Sequence, residues 1–309
     1  MSGIVFQFEW EVELIKWIQA NIMNIPFVCN LCIFFTYFGE PFMAALIISF
    51  SYLAIDKRIG KNIALPTLAS SVINPMIKNL FFRIRPYMAN EMIECLKQVD
   101  MSGDIYDIQS QGYSFPSGHS SNISALATSL NLNYKNKILK IVSIIIVLLT
   151  GFSRFALGVH YPSDVIVGIL LGFIVVLLYN LLGKKIGENK LAIISLIIFS
   201  LGFLYCDSND FYSCYGIYFG FVFATIFEEK YVNFENTKNI LRAIVRTLIG
   251  ISIFLVISNI IKIPFDKSFL ESTSVLAYSI RAFRYALASF IALGVYPMVF
   301  KYNILKFKD

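Results

Sequence analysis

Two histidines, His119 and His160, are the only imidazoles in this 309-residue chain, and each stands in a short polar cluster that interrupts an apolar sequence. The first cluster reads Tyr113-Ser114-Phe115-Pro116-Ser117-Gly118-His119-Ser120; the second is Ser153-Arg154, then His160 and Asp164. A basic cluster, Lys78 followed by Arg85-Pro86, precedes both. These types supply a nucleophile, an acid and several cations, which is what a site that transfers an anionic group requires.

Lys78 and Arg85 are seven residues apart, expected on one helix that Pro86 terminates, since proline disfavours helical conformation in the residue before it. Seven residues is two turns, so the side chains would share a face about 10 Å apart along the axis and close on one tetrahedral anion. The bland alternative is a cation at the end of a span reaching back to the interface, which suits Arg83. Lys78 suits it less, lying between Pro75 and Phe81-Phe82 where a charge is costly. Ser117-Gly118-His119 has the grammar of a helix start, whose open N–H groups bind anions. Gly118 lets the backbone approach an oxygen, Ser117 can donate its hydroxyl, and His119 projects from the first turn. Asp164, four residues after His160, can fix one imidazole nitrogen and leave the other free to attack, while Arg154 adds a guanidinium. Each cluster alone has an ordinary reading as a capped helix, a satisfied histidine or a carboxylate at a helix N-terminus. Eleven ordered identities together read as a phosphoryl-transfer site that works by positioning and charge neutralisation, without a carboxylate metal cage.

What must position these clusters is a membrane scaffold. Hydrophobic residues make up 57% of the chain and charged residues only 15%, with a mean hydropathy of +0.68, against about a quarter charged in soluble domains. Apolar stretches at 41–55, 63–82, 117–132, 139–157, 163–182, 191–205, 212–227, 240–261 and 275–300 approach the ~20 residues of a helical span. The stretch 22–38 is marginal, bracketed by Pro26, Gly39 and Glu40. The expected fold is therefore all-α, a polytopic membrane helical bundle of about nine or ten transmembrane helices. The net charge of +6 does not indicate nucleic acid. Segments 56–62, 133–140, 183–190, 228–242 and 301–309 each carry three Lys or Arg and alternate with neutral or acidic connectors. By the positive-inside rule these five face the cytoplasm, which puts both histidine clusters on the extracytoplasmic side of a cell membrane. The first twenty residues lack the features of a secretory signal and read as an amphipathic interfacial helix with Trp10 and Trp17 at headgroup level.

Five cysteines imply no disulfide framework. The pair Cys29 and Cys32 has no second pair to complete a zinc site, and Cys206 and Cys214 flank one outward loop where pairing is an option. Arg281 and Arg284 lie one turn apart inside the last span, either paired with an acid such as Glu40, snorkelling to the interface, or making a second headgroup contact.

The three clusters resemble the signatures of the type 2 phosphatidic acid phosphatases, a family sharing its site with the vanadium haloperoxidases: K-x6-R-P at Lys78 to Pro86, P-S-G-H at Pro116 to His119, and S-R-x5-H-x3-D at Ser153 to Asp164. The resemblance implies that His160 attacks phosphorus, that His119 protonates the leaving oxygen, and that Asp164 orients His160. It further implies that Lys78, Arg85, Ser117, Gly118 and Arg154 hold the phosphate oxygens, and that no metal or other cofactor takes part. It covers a core of 1–186 and leaves 187–309 as a C-terminal transmembrane extension of unexplained role. The expected activity is hydrolysis of a lipid phosphate or diphosphate, such as undecaprenyl diphosphate, phosphatidylglycerol phosphate, phosphatidic acid or a sphingoid phosphate. The expected partners are that substrate and the membrane lipids. Two rivals stand beside it, a phosphotransferase with a lipid or sugar acceptor, and a lipid or solute transporter. Transporters show paired repeats, and no motif here occurs twice.

Overall fold

The computed structural model of the chain describes residues 3–101 and 103–301; most of the last basic segment, 302–309, lies outside the described residues. In chain order its helices are α1 (Glu9–Ile18), α2 (Pro26–Thr36), α3 (Pro41–Phe50), α4 (Lys57–Phe81), α5 (Pro86–Ala89), α6 (Ile108–Gln111), α7 (Gly118–Tyr134) and α8 (Lys137–Ala156). They continue with α9 (Pro162–Ile186), α10 (Glu188–Phe199), α11 (Asn209–Phe227), α12 (Ile240–Ile260), α13 (Lys267–Leu270), α14 (Val275–Phe290) and α15 (Met298–Lys301). The described residues contain no strand beyond an isolated parallel bridge between Ile4 and Arg83.

Among the described residues five helical segments are long and apolar enough to cross a membrane: α8, α9, and those running Asn209–Val232, Ile240–Ile260 and Val275–Lys301. The pair Pro26–Gly39 and Pro41–Ile55, bent at Glu40, raises the count to six if it is one broken span. Nine or ten were expected, and the shortfall has a local origin. Helix α7 has 17 residues and α10 only 12, while the 25-residue α4 is diluted by Lys57, Lys61, Thr67, Asn74 and Lys78.

The chain forms two compact units, one built from residues up to Ala44 together with Ile73–Leu178, the other from Ala45–Val72 together with Tyr179 onward. In the first, α2, α7 and α1 pack against α8 around a core of Val12, Ile15, Ile18, Cys32, Tyr87, Leu157, Val159 and Tyr161. Two of its helix starts are written in the sequence. Asn136 caps α8 by accepting from the amides of Ile138 and Leu139 at 2.9 and 3.0 Å, and Pro162 opens α9 with Asp164 in its first turn. Close approach of α7 and α9 depends on two glycines. A Cβ on Gly168 would lie 2.6 Å from the Ser117 carbonyl oxygen, and one on Gly172 would lie 2.3 Å from that of Ser121.

In the second unit α11 packs along α14 on a similar seam, where a Cβ on Gly216 or Gly220 would meet the carbonyl oxygens of Ala282 or Ala286 at 2.3 and 2.2 Å. Its basic connector is anchored by acids: Lys57 pairs with Glu228 at 2.9 Å, and Lys61 pairs with Glu229.

Candidate active site

Helix α4 does not reach Arg85. It ends at Phe81, Phe82 turns through the left-handed region with φ of 51°, and residues 82–84 run beside Ile4, which donates to the Phe82 carbonyl at 2.8 Å and accepts from Ile84 at 3.1 Å. Arg85 then caps α5 in an extended conformation. The expectation that Lys78 and Arg85 share one helical face is therefore corrected. Lys78 belongs to the last turn of α4 and Arg85 to the turn beyond it, yet both cations act electrostatically on His119 and on His160.

Arg85 is held in place by main chain. Its Nε donates to the carbonyls of Gln111 and Gly112 at 3.1 and 2.9 Å, Nη2 donates to Gln111 at 2.6 Å, and Nη1 to Val159 at 2.8 Å. The same Nη1 sits 3.2 Å from His160 Nε2. Since a guanidinium only donates, Nε2 is the lone-pair nitrogen and the ring proton belongs on Nδ1. Nδ1 faces Asp164 Oδ2 and Ser114 Oγ, each at 3.4 Å. His160 is 1% exposed, in the connector between α8 and α9. Burial, and then the charges of Arg85, Arg154 and Lys78, push its pKa well below the ordinary 6.5, so the ring is neutral and nucleophilic near neutral pH.

Asp164 has little acceptor capacity left. Arg83 Nη1 donates to it at 2.6 Å, the Tyr161 amide at 2.8 Å, and the Ser114 hydroxyl by a short bond. A carboxylate so saturated is placed to accept from the imidazole Nδ1–H rather than to remove its proton.

Arg83 was read as a snorkelling cation, and the structure contradicts that. It is fully buried, pairs with Glu11 at 2.7 Å as well as Asp164, and lies between the rings of Phe6 and Tyr161 at 4.4 and 3.9 Å. Glu11 also accepts from the Ser163 amide at 2.8 Å. The amphipathic α1 therefore does more than lie in an interface: Trp10 and Trp17 are exposed as expected, while its opposite face carries Glu11 into the site's support. Arg83, Glu11 and Ser114 are the contributors that sequence reasoning missed. The only local signal was a carboxylate between Trp10 and Val12 on the face opposite the tryptophans.

Ser117 caps α7, accepting from the Ser120 amide at 3.4 Å and hydroxyl at 2.9 Å, and its own amide donates to the Asp164 carbonyl at 3.0 Å. That bond ties the first histidine's helix to the start of α9. Gly118 lies against Asn74, whose Oδ1 would be 3.3 Å from a Cβ there. His119 stands in the first turn of α7 with Gly39 packed on it, since a Cβ at Gly39 would be 2.6 Å from that of His119.

Arg154 is the odd member. It is 2% exposed and gives Nη1 to Thr36 Oγ1, but its Nε and Nη2 are buried without any acceptor. Its charge reaches Arg85 and both histidines. Buried donors left unpaired are costly, and an anion with several oxygens would complete them.

All eight residues from the three clusters thus fall in the first unit. Arg281 and Arg284 lie on α14 in the second unit, and their suggested partner Glu40 is paired instead with Lys97 at 3.3 Å. Among the described residues Cys29, Cys32, Cys206 and Cys214 form no disulfide, and no three His, Cys, Asp or Glu side chains converge.

Residues 60–188 match the PAP2 superfamily, and residues 212–306 match the transmembrane extension of PAP2 superfamily phosphatases. The chain carries a PAP2 superfamily domain followed by a PAP2 transmembrane extension. Its relatives include a lipid A 4'-phosphatase of Porphyromonas gingivalis, 29% identical over 52% of this chain and 58% of that protein. An undecaprenyl-diphosphatase of Sulfolobus acidocaldarius is also 29% identical, over 53% of this chain and 73% of that one. Among solved structures, Aquifex aeolicus LpxE aligns at 24% identity over 57% of this chain and 98% of that chain, with a TM-score of 0.49.

Proposed function

We propose that the chain is a metal-independent phosphatase that hydrolyses a lipid phosphate or diphosphate at the outer membrane–water interface through a phosphohistidine on His160. The observation that carries this reading is the buried, unpartnered pair of Arg154 donors beside a neutral imidazole whose Nε2 faces Arg85. Lys78, Arg85, Ser117, Gly118 and Arg154 would surround the phosphoryl oxygens. Nε2 attacks phosphorus and forms a P–N bond as the P–O bond to the lipid breaks, and His119 gives its proton to the departing oxygen. Water then attacks phosphorus, its proton passes to His119, the P–N bond breaks and phosphate leaves. Asp164 holds the Nδ1 proton in place throughout.

The names of the relatives favour an amphiphile whose phosphate lies at headgroup level, such as lipid A or undecaprenyl diphosphate. The basic connectors favour an extracytoplasmic site. Counting the bent pair once and letting α4, α7 and α10 cross gives nine spans, with 1–186 as the catalytic core and 187–309 as the extension. Purified protein in detergent should release inorganic phosphate from at least one of undecaprenyl diphosphate, lipid A, phosphatidylglycerol phosphate, phosphatidic acid and a sphingoid phosphate, with His160→Ala silent and EDTA without effect. Equal release by His160→Ala, or loss of activity in EDTA, overturns the reading. Label appearing on a lipid or sugar acceptor instead of as free phosphate assigns a phosphotransferase.

A further inference from the structure

Arg284 on α14 is 3% exposed, and its Nε is buried with no acceptor. Among the described residues it makes no ion pair, and its guanidinium lies over the ring of Tyr285, 4.5 Å from Cζ to the ring centre. One turn earlier, Arg281 makes a single long bond, 3.4 Å from Nη2 to the Leu270 carbonyl. Lys262, just past the end of α12, feels both guanidinium groups: burial first, and then Arg284 and Arg281, hold its pKa below the usual value. The carboxylate whose charge reaches Arg281 is Asp210, and the two form no ion pair. Three cations are therefore gathered in the second unit, and among the described residues none of them forms an ion pair. The other lysines of this unit's connector, Lys57 and Lys61, are each paired with a glutamate.

Packing explains why the cluster is held open. The glycine seam of Gly216 and Gly220 takes Ala282 and Ala286 against α11, so the arginines and Tyr285 turn toward α12, where Tyr285 stacks near Phe254 at 6.0 Å. Arg281 and Arg284 lie six and nine residues past the start of α14, about 9–14 Å along the axis. Uncompensated charge at that depth of a spanning segment is expensive, and such residues are retained where an anion meets them. Two guanidinium groups one turn apart with a lysine above match a group with several oxygens distributed around one centre.

We propose that Lys262, Arg281 and Arg284 form a phosphate-binding site in the second unit, separate from the histidine site and independent of the catalytic reading. Its ligand is a phosphate group carried by a lipid headgroup or present as the free ion, and the test separates these sources. Full-length protein in detergent is titrated with short-chain phosphatidylglycerol and, separately, with inorganic phosphate. Bound ligand is counted by native mass spectrometry for the wild type, for Arg154→Gln and for Arg284→Gln.

The expected result is a binding event that survives Arg154→Gln and weakens at least about tenfold in Arg284→Gln, with Arg284→Lys much closer to wild type. Phosphatidylglycerol bound in preference to inorganic phosphate assigns the headgroup; the reverse order assigns the free ion. If Arg284→Gln does not fold, Arg281→Gln and Lys262→Gln decide, each expected to weaken the same event. Equal binding by the wild type and by every folded variant of the three positions overturns the proposal.

Discussion

The two sides of the His160 ring follow opposite electrostatic rules. Behind Nδ1, every charge is answered: Arg83 meets Glu11 and Asp164, Asp164 also takes Ser114 and the Tyr161 amide, and two aromatic rings enclose the guanidinium. In front of Nε2, Arg85 lies 3.2 Å away and the charges of Arg154 and Lys78 also reach the ring, and Arg154 leaves buried donors unanswered. Arg83 has its acceptors in place, whereas Arg154 has two buried nitrogens without one. Burial alone does not distinguish them, because Arg83, Arg85 and Arg154 are all nearly inaccessible.

This contrast can be broken most decisively at its centre. His160→Ala is expected to lower phosphate release at least about a thousandfold, as removal of a nucleophile does, and an intact phosphohistidine in that variant would show the wrong atom has been chosen. Arg154→Ala should reduce turnover by about 10²–10³, the usual loss of one charge-stabilising donor, while thermal unfolding in detergent stays within about 1 kcal/mol of wild type. Arg83→Ala should do the converse. Leaving Glu11 and Asp164 buried without their cation is expected to destabilise the fold by about 3–5 kcal/mol, read as a lower unfolding midpoint; an unchanged midpoint would place Arg83 with the ligand-binding cations.

Smaller effects sharpen the same division. Gly39→Ala forces a Cβ into His119 and should cost about tenfold in kcat through misplacement of that ring, with little change in the behaviour of His160. The pH dependence of stability is the mildest expectation. His160 is depressed in the folded state, so below about pH 6.5 the unfolded chain takes up a proton that the folded chain refuses. Stability should fall as pH drops through that range, with His160 contributing at most about 1.4 kcal/mol per pH unit. The slope should become shallower in His160→Gln. The acid limb of kcat/KM should likewise lie below pH 6.5.

The residues with chemistry were legible because they cluster along the chain: Arg154, His160 and Asp164 span eleven positions, and Ser117 to His119 only three. What supports them was not, because Glu11 is 72 positions from Arg83, and Asp164 is 81. No local pattern encodes such pairs. The break after Phe81 was hidden for a related reason: Pro86 marks a boundary, but the earlier turn at Phe82 is fixed by pairing with Ile4, a tertiary contact. Membrane character was plain from composition, while the span count was not, because α4, α7 and α10 trade apolar length for polar or short segments.

The glycine seam between α7 and α9 sets how the site responds to heat. Gly168 and Gly172 bring backbone onto backbone, and the Ser117 amide is bonded to the Asp164 carbonyl. The helix that carries one histidine is thus fixed to the helix that begins beside the other by main-chain contacts and by the Ser124 hydroxyl, which donates to the Ile169 carbonyl at 2.7 Å. Their separation does not loosen as side chains gain rotameric freedom on warming. The rate should therefore climb along a straight Arrhenius line until the unit unfolds, and break there abruptly rather than bend beforehand.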